Sequence, residues 1–539
     1  MKIYGNIIDV FNRRIFSGYI LIEGNRIGDI VEEENYAERY IVPGLIDSHI
    51  HIESSMLVPF RFAEVAVRHG TVAVVSDPHE IANVMGIEGV EFMIEDGRRT
   101  PLKFYFGAPS CVPATGFERN GGKIGTGEII DLLERREIKY LSEMMNFPGV
   151  INNDVEVLEK IKAAKKAGKP VDGHAPGLVG DDLDKYIKAG ISTDHECISL
   201  EEAREKIKKG MKIQIREGSA ARNFEKLHCL ISESPGSLML CSDDLHPEML
   251  EKGHINLLVK RLLALGYDIF DILNIAVVNP VRHYNLDIGM VRKGDQADFI
   301  IVDNPDDFNI LETWIDGERV YDGKNVSFAA VTAKPLNNFH SGLLKPCDIR
   351  VEKRQGRIRV IDVNDGDLVT GCYKWSPARG GEYLNSATDE DVLKIIVKDR
   401  YNDSPPAVAF VRGFGLRRGA FASSVAHDSH NIIAVGADDE SICRAVNRIV
   451  EMKGGLACCN GEKCGELQLE VAGIMSDVPC GTIAAKYTQL SNIVSDMGCE
   501  LKSPFMTLSF MALLVIPELK ISDKGLFDGK KFEFVNLYI

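Results

Sequence analysis

Short apolar segments alternate with longer segments of helical periodicity over residues 45–285. The apolar segments are rich in β-branched residues, which is typical of buried strands. Strands that alternate with helices predict parallel βαβ units. Eight units over about 240 residues favour a (β/α)8 barrel of the TIM type, with an open doubly wound sheet as the alternative. The eight predicted strands are residues 45–51, 71–76, 102–108, 139–144, 170–174, 191–195, 212–217 and 238–243.

Two β-rich segments flank the predicted barrel domain, which spans residues 45–285. Residues 1–44 and 286–333 carry short alternating strands separated by glycine-containing turns. Because one segment directly precedes the barrel and the other directly follows it, the two are expected to pair into one small β-sandwich domain. Residues 334–539 mix strands and helices, including a long helix over 440–453, and predict a separate C-terminal α+β domain.

The first predicted barrel strand ends in two histidines, His49 and His51. Side chains at positions i and i+2 of a strand point to the same face, so both imidazoles project together, as two ligands of one metal must. The His-X-His pattern alone is ambiguous, because core and surface histidines also occur at this spacing. The other strand ends decide between these interpretations.

Potential metal ligands follow several further strands. In a (β/α)8 barrel the chemistry lies at the carboxyl ends of the strands, so these side chains are expected to converge. Four imidazoles and two carboxylates suit a binuclear site for divalent cations such as Zn, Mn or Fe. The six residues are His49, His51, Glu143, His174, His195 and Asp243.

The motifs at these positions resemble those of the amidohydrolase superfamily and, within it, the adenine deaminase family. The His-X-His pair with an aspartate on strand eight is shared across the superfamily. The glutamate motif and a histidine-rich motif near the C terminus are specific to the narrower family, and the resemblance covers essentially the whole chain. The matching segments are 42–55 (VPGLIDSHIHIESS), 76–84 (SDPHEIANV), 143–150 (EMMNFPGV), 172–177 (DGHAPG), 194–196 (DHE), 241–244 (CSDD) and 424–431 (SVAHDSHN).

This resemblance implies two divalent metal ions and a reaction of purine salvage. A metal-bridging hydroxide would attack C6 of adenine and release ammonia, leaving hypoxanthine. Asp243 would shuttle the proton, with Glu143 and His195 beside it at the reacting centre. Mn²⁺ is the expected metal, and Fe²⁺ or Zn²⁺ are the alternatives. One metal would be held by His49, His51 and Asp243, and the other by His174 and His195, with Glu143 as the bridge.

The main alternative function is a cyclic amidase of the dihydroorotase or hydantoinase type on the same scaffold. Such enzymes usually bridge their metals with a modified lysine. Lys139 lies too early in strand four to reach the strand end, so Glu143 argues against them. Single-zinc deaminases need a Pro-Cys-X-X-Cys motif, which this sequence lacks. A metal-binding scaffold without turnover is the non-enzymatic alternative.

Four residues just beyond strands one and two are candidates for contacts with the purine ring. Each could instead cap a helix or support a metal ligand. Asp77, for example, precedes a helix that begins with proline and is a natural N-cap. The four candidates are Glu53, Asp77, His79 and Glu80.

Histidines outside the strand ends fall into two groups. His427 and His430 belong to the C-terminal motif. They are expected either to close over the barrel mouth as a lid or to stabilise a domain interface. Five others have no motif around them and are expected to be ordinary surface or helix residues: His69, His228, His254, His283 and His340.

Composition limits the classes of binding partner and the cellular compartment that are expected for this protein. The formal net charge of −16 argues against a nucleic-acid binder. The longest apolar run near the C terminus, residues 508–517, is far shorter than the about 20 residues of a membrane span. The first residues lack a signal-peptide pattern, so the 12 cysteines are expected to stay reduced in the cytoplasm. The resemblance further implies that two copies of the chain associate as a homodimer.

Overall fold

The chain begins with an antiparallel β-meander. The computed structural model describes residues 1–34, 38–219, 221–329, 332–378 and 380–539. The first three strands pair in sequence order, and the fourth lies parallel to the first. Ile3, Gly5 and Ile7 are buried at alternate positions, so one face of the first strand covers a core. The strands are β1 (Lys2–Asp9), β2 (Arg14–Glu23), β3 (Arg26–Glu32) and β4 (Tyr40–Pro43).

Eight parallel strands then form a closed barrel. The first five pair in sequence order, as do the last three. The two groups join where Val171 bridges Ile191, and the first strand meets the last where Ile50 bridges Asp243. The predicted (β/α)8 barrel is thus confirmed, because an open sheet would keep two free edges. The strands are β5 (Leu45–Ile50), β6 (Thr71–Ser76), β7 (Lys103–Ala108), β8 (Ile138–Met144), β9 (Val171–Gly173), β10 (Thr193–Asp194), β11 (Lys212–Arg216) and β12 (Leu238–Cys241).

Amphipathic helices connect the barrel strands. The Asp154 carboxylate accepts a hydrogen bond from Val157 N (3.0 Å) and begins a helix whose buried face includes Val157 and Ile161. None of the helices within the described ranges is long and apolar enough to cross a bilayer. The helices are α1 (Pro59–Ala66), α2 (His79–Met85), α3 (Ile87–Gly97), α4 (Thr126–Glu134), α5 (Phe147–Ile151), α6 (Val155–Lys166), α7 (Gly180–Ala189), α8 (Leu200–Lys208), α9 (Phe224–Leu227), α10 (Pro247–Leu250), α11 (Ile255–Ala264), α12 (Ile269–Leu273) and α13 (Asn279–Tyr284).

The two flanks of the barrel share one seven-stranded sheet. Its order is β15-β14-β13-β4-β1-β2-β3, with β13 (Phe299–Val302), β14 (Ile310–Ile315) and β15 (Glu318–Tyr321). Strand β4 joins the halves, since it is parallel to β1 and antiparallel to β13. Phe299 and Trp314 of one half pack with Ile20 and Ile27 of the other in a common core. The domain boundaries near residues 44, 285 and 333 remain predictions.

A second α/β unit follows the shared sheet. Its eight-stranded sheet has the order β18-β17-β21-β20-β23-β22-β24-β25, and helix α14 packs on β22, β23 and β24 through Ile442, Val446 and Ile449. The strands are β16 (Val351–Glu352), β17 (Ile358–Asp362), β18 (Gly371–Trp375), β19 (Tyr383–Leu384), β20 (Leu393–Lys398), β21 (Ala407–Arg412), β22 (Ala420–Ser423), β23 (Ile432–Gly436), β24 (Gly455–Asn460), β25 (Lys463–Gln468), β26 (Leu519–Ser522), β27 (Gly525–Asp528) and β28 (Glu533–Phe534). The helices are α14 (Asp439–Met452), α15 (Cys480–Asp496) and α16 (Pro504–Phe510).

Two cysteines depart from the expectation that all thiols are reduced. Cys459 and Cys464 face each other across the β24–β25 hairpin and form a disulfide. The expectation was wrong for this pair because it considered only the compartment, whereas directly opposed strand residues can bring two sulfurs into bonding distance. The other ten cysteines in the described chain are free.

The C-terminal unit covers the carboxyl ends of the barrel strands. Leu57, just beyond β5, bridges Ser476. The Arg61 guanidinium donates to Asp477 Oδ1 at 3.0 Å, and Arg119, in the segment after β7, donates to Asp523 Oδ2 at 2.7 Å. The barrel mouth is therefore enclosed by residues from both units.

Candidate active site

The end of strand β5 aims two imidazoles at the barrel axis. The rings of His49 and His51 are 4.9 Å apart, and His49 stacks on His195 with a centroid distance of 4.1 Å. All three side chains are buried. Asp243 is held beside them because its N–H donates to His49 O (2.9 Å) and its carbonyl accepts from His51 N (3.3 Å). Its φ of 56° is left-handed, a conformation that aspartate tolerates better than most residues.

Two carboxylates connect the imidazoles. Asp243 Oδ1 lies 3.2 Å from the Nε2 atoms of both His49 and His51. Glu143 reaches in two directions: Oε1 is 3.3 Å from His51 Nε2, and Oε2 is 2.7 Å from His174 Nδ1 and 3.3 Å from His195 Nε2. The six side chains that the sequence singled out as metal ligands therefore meet in one buried cluster: His49, His51, Glu143, His174, His195 and Asp243.

The cluster fits a metal site. His49 Nε2 is 3.2 Å from Asp243 Oδ1, yet within the described part of the chain it makes no hydrogen bond of acceptable geometry, and His174 Nε2 and His195 Nδ1 also lack partners there. Buried polar atoms are normally satisfied, so an imidazole nitrogen left beside a carboxylate is the arrangement that a cation between them would complete. Several groups of potential ligand atoms lie within 4.8 Å of one another, and two of them are drawn from this cluster: His49, His195 and Asp243, and Glu143, His174 and His195.

Neighbouring positive charge keeps both carboxylates ionised. Burial by itself would raise the pKa of Asp243, but Arg216 and the adjacent imidazoles of His49 and His51 outweigh it and hold the pKa well below the usual range. Burial is likewise outweighed at Glu143, chiefly by His174, and the pKa of that carboxyl is also held well below its ordinary value. The centre of the barrel thus carries anionic oxygen ligands at neutral pH.

Arg216 is a site residue that the sequence analysis missed. It ends β11, and its Nη1 lies 2.6 Å from Asp243 Oδ2. The same guanidinium pairs with both oxygens of Glu196, with a distance of 3.0 Å from Nη2 to Oε2. Asp243 Oδ2 is thereby occupied, which leaves Oδ1 to face the imidazoles. Its position could have revealed Arg216, because functional residues of a barrel lie at the carboxyl ends of the strands and Arg216 ends the seventh strand. No ligand had been predicted at that strand end.

A buried network below the cluster joins the first and last barrel strands. Asp47 Oδ1 accepts from His49 N (3.2 Å) and from Ser242 N (3.1 Å), and its Oδ2 accepts from the Ser242 hydroxyl. His254 Nε2 lies 2.7 Å from the same Oδ2, and its Nδ1 lies 2.7 Å from Thr71 Oγ1. The expectation of a surface or helix residue was wrong for His254, because its ring is buried between a carboxylate and a hydroxyl.

A buried lysine supports the other side of the cluster. Lys206 of α8 donates to Ala175 O (2.8 Å), next to His174, and to Asp194 Oδ2 (2.8 Å), next to His195. Burial by itself would raise the pKa of Asp194, because it favours the neutral acid, but Lys206 and His195 outweigh burial and hold the pKa below its ordinary value. Lys206 thus fixes the two segments that carry the imidazoles of β9 and β10.

The four candidate purine contacts occupy different positions. Glu53 Oε1 accepts a hydrogen bond from Ile81 N of helix α2 (3.1 Å). Asp77 lies 3.1 Å from the Nδ1 atom of His79, the first residue of that helix. Only His79 and Glu80 line the pocket above the metal-ligand cluster. The sequence could place all four near the mouth, but not which of them face it.

His427 and His430 both bind Glu80. His427 Nδ1 contacts Glu80 Oε1, and His430 Nε2 contacts Glu80 Oε2, so both oxygens of this carboxylate are used. Ala426 N–H donates to His430 Nδ1 (3.2 Å), which places the His430 proton on Nε2, facing Glu80. The two histidines therefore lie buried at the interface between the barrel and the C-terminal unit, and His427 also lines the pocket.

A larger cavity adjoins this pocket. Its volume is about 370 Å³, and both units line it. Met145, Glu196 and Arg216 of the barrel and Leu368 of the C-terminal unit line the cavity and the pocket alike. The metal-ligand cluster is therefore reached through a space large enough for a small heterocyclic molecule.

Comparisons with known proteins agree with this arrangement. A model of the amidohydrolase family matches residues 40–320, and a model of the adenine deaminase C-terminal domain matches residues 367–533. The adenine deaminase of Methanosarcina mazei is 52% identical over 550 residues, which cover 100% of this chain and 99% of that protein. Those of Salinibacter ruber (51% over 540 residues; 100% and 99% covered) and Sulfurovum sp. (53% over 537 residues; 99% of each) are similar to the same extent. The chain belongs to the adenine deaminase family of the amidohydrolases.

Proposed function

We propose that this protein hydrolyses adenine to hypoxanthine and ammonia. The observation that carries the proposal is identity of 51–53% with adenine deaminases along the whole chain, C-terminal unit included. A cyclic amidase on the same scaffold is not favoured, because these relatives match at both units. A role in purine salvage, a cytoplasmic location and a homodimeric state belong to the same proposal, and light scattering of the purified protein tests the last of these.

The proposed cofactor is a pair of divalent cations, with Mn²⁺ first and Fe²⁺ or Zn²⁺ as alternatives. Imidazole and carboxylate ligands accept all three metals. Glu143 presents one oxygen to His51 and the other to His174 and His195, which supports its role as the bridging ligand. When bound, the metals would supply Lewis-acid activation of the attacking water. His49 and Asp243 complete the proposed set of ligands.

Asp243 is the proposed proton carrier. Arg216 holds its Oδ2, so Oδ1 has a fixed direction toward the centre of the cluster. In that position Oδ1 would accept a proton from the water that adds to C6 and pass it to the departing amine. Glu143 and His195 would hold the reacting centre together, since His195 Nε2 lies 3.3 Å from Glu143 Oε2.

The purine side of the pocket is proposed to use His79. Asp77 orients its ring from behind, and Glu53 supports the same helix through Ile81 N. Glu80 is engaged by two histidines of the C-terminal unit, so its proposed role is to hold the two units together over the bound purine. Apolar side chains of the C-terminal unit, including Phe510, line the pocket and exclude water.

Asp243→Asn tests the proposed function. The amide keeps the volume and one oxygen, so most of the metal should remain, but it cannot accept the proton, and ammonia release from adenine should fall at least about 1,000-fold. Asp182→Asn is the matched control, because Asp182 lies exposed on α7 and is expected to leave turnover unchanged. Near-normal turnover by Asp243→Asn would refute this role of Asp243.

A further inference from the structure

Asp428 enters the barrel mouth from the C-terminal unit with an unused oxygen. The residue is 3% exposed and lines the same pocket as His51 and Glu143. Its Oδ2 is buried and has no hydrogen-bond partner among the described residues. A carboxylate oxygen removed from water without a donor is costly, so such an atom beside a reacting centre points to a donor on a bound ligand.

The neighbours of Asp428 fix its position and leave it free to bind. His427, which precedes it, and His430, two residues after it, are both held by Glu80. His79 separates Asp428 from the metal-ligand cluster, with Nε2 3.9 Å from Asp428 Oδ1 and Nδ1 3.6 Å from Glu143 Oε1. The carboxylates of Asp428 and Glu143 are therefore separated by no more than the width of one imidazole ring plus these two distances. A purine ring can bridge that separation.

Burial raises the pKa of Asp428 to about 6, against the opposing effect of His79. The carboxylate form therefore dominates at neutral pH, and that form can only accept hydrogen bonds. A free purine base has one N–H on its imidazole ring, in addition to the groups at C6 that must face the metal-ligand cluster. A nucleoside has lost this N–H to its sugar.

We propose that Asp428 Oδ2 accepts the imidazole N–H of the free purine base and thereby selects adenine over its nucleoside. The inference rests on the proposed function, and it assigns to the C-terminal unit a direct part in substrate choice. The unpartnered Oδ2 atom is the acceptor for this hydrogen bond. The distances through His79 show that one bound purine can contact both Asp428 and the metal-ligand cluster.

Binding of the product and of its 9-methyl derivative tests the proposal. Manganese-loaded wild type, Asp428→Asn and Asp428→Ala are compared by equilibrium dialysis with hypoxanthine and 9-methylhypoxanthine, which has no imidazole N–H. Wild type should bind hypoxanthine about 10- to 100-fold more tightly than the methylated base. Asp428→Ala should lose most of this ratio by weakening hypoxanthine alone. Asp428→Asn should fall between, because its amide oxygen still accepts a hydrogen bond but carries no charge.

An unchanged ratio in both variants would overturn the proposal. So would the loss of one metal equivalent in Asp428→Asn, because Asp428, His79 and Glu80 would then be ligands of a further cation. Ser429→Ala, a change at the next residue, is the control for disturbance of the loop and should keep the wild-type ratio. Ammonia release from adenine by wild type is measured separately: its absence refutes the proposed function, whereas release with an unchanged ratio refutes only the role of Asp428.

Discussion

Replacement of Asp47 should expose the importance of the network that joins the first and last barrel strands. Its carboxylate accepts four hydrogen bonds: two backbone N–H groups on Oδ1, and the Ser242 hydroxyl and His254 Nε2 on Oδ2. Asp47→Ala leaves all four donors buried without an acceptor. Asp47→Asn keeps the volume and the oxygen that faces the two backbone groups. The two variants should therefore differ strongly.

The structure allows the difference to be worked out. Four unsatisfied buried donors at about 1 kcal/mol each predict that Asp47→Ala lowers the free energy of unfolding by about 4 kcal/mol. In Asp47→Asn the new NH₂ can donate to the Ser242 hydroxyl oxygen. It can also donate to His254 Nε2 if the ring proton moves to Nδ1, which then donates to Thr71 Oγ1. All four partners are therefore retained, the two on the amide nitrogen in exchanged roles, so the predicted cost is about 1 kcal/mol.

Urea denaturation of the metal-loaded variants, followed by circular dichroism, measures these free energies. The double variant Asp47→Ala/His254→Ala should cost about 1 kcal/mol less than the sum of the single variants, because both remove the same contact. Asp47→Ala should also retain less metal after dialysis, since His49 and Ser242 lose a common anchor. Equal costs for Asp47→Ala and Asp47→Asn would refute the exchange of donor and acceptor roles.

Two further predictions concern Arg216 and His427. Arg216→Met leaves Asp243 and Glu196 without their shared cation, so kcat/KM for adenine should fall about 100-fold, and Arg216→Lys should fall less; wild-type kcat/KM for the Met variant would contradict this. Burial lowers the pKa of His427, but Glu80 and other neighbouring carboxylates outweigh it and raise the pKa from 6.5 to about 9. The stabilisation from His427 is therefore complete below pH 6.5 and is lost as the pH rises through about 9, by on the order of 3 kcal/mol in the free energy of unfolding. Denaturation across this range should show the loss in wild type but not in His427→Gln, and parallel curves would contradict the assignment.

The barrel could be predicted because its signal is local. Each strand is a short apolar run, and the topology then dictates that residues at successive strand ends meet. His49 and Glu143 are far apart in sequence, yet parallel strands deliver both to one edge. The motifs around them also matched a family, which supplied expectations about the reaction that spacing alone could not.

The rest depended on contacts that no local pattern records. Glu80 meets His427 and His430 across the interface between two units, and Asp47 meets His254 across the barrel seam. Neither pairing follows from periodicity, because it depends on where a helix or loop ends relative to a distant strand. The disulfide between neighbouring strands β24 and β25 was missed for a related reason: the register of the hairpin, not the number of residues between the cysteines, opposes the two side chains.

Turnover during metal reconstitution tests the central claim most directly. Metal-free protein is titrated with Mn²⁺, and ammonia release from adenine is followed at each step. The predicted result is activity that rises up to two equivalents of metal per chain and then levels off, with hypoxanthine as the other product. Full activity without added metal, or no ammonia at any metal content, would contradict hydrolytic deamination at the cluster of His49, His51, Glu143, His174, His195 and Asp243.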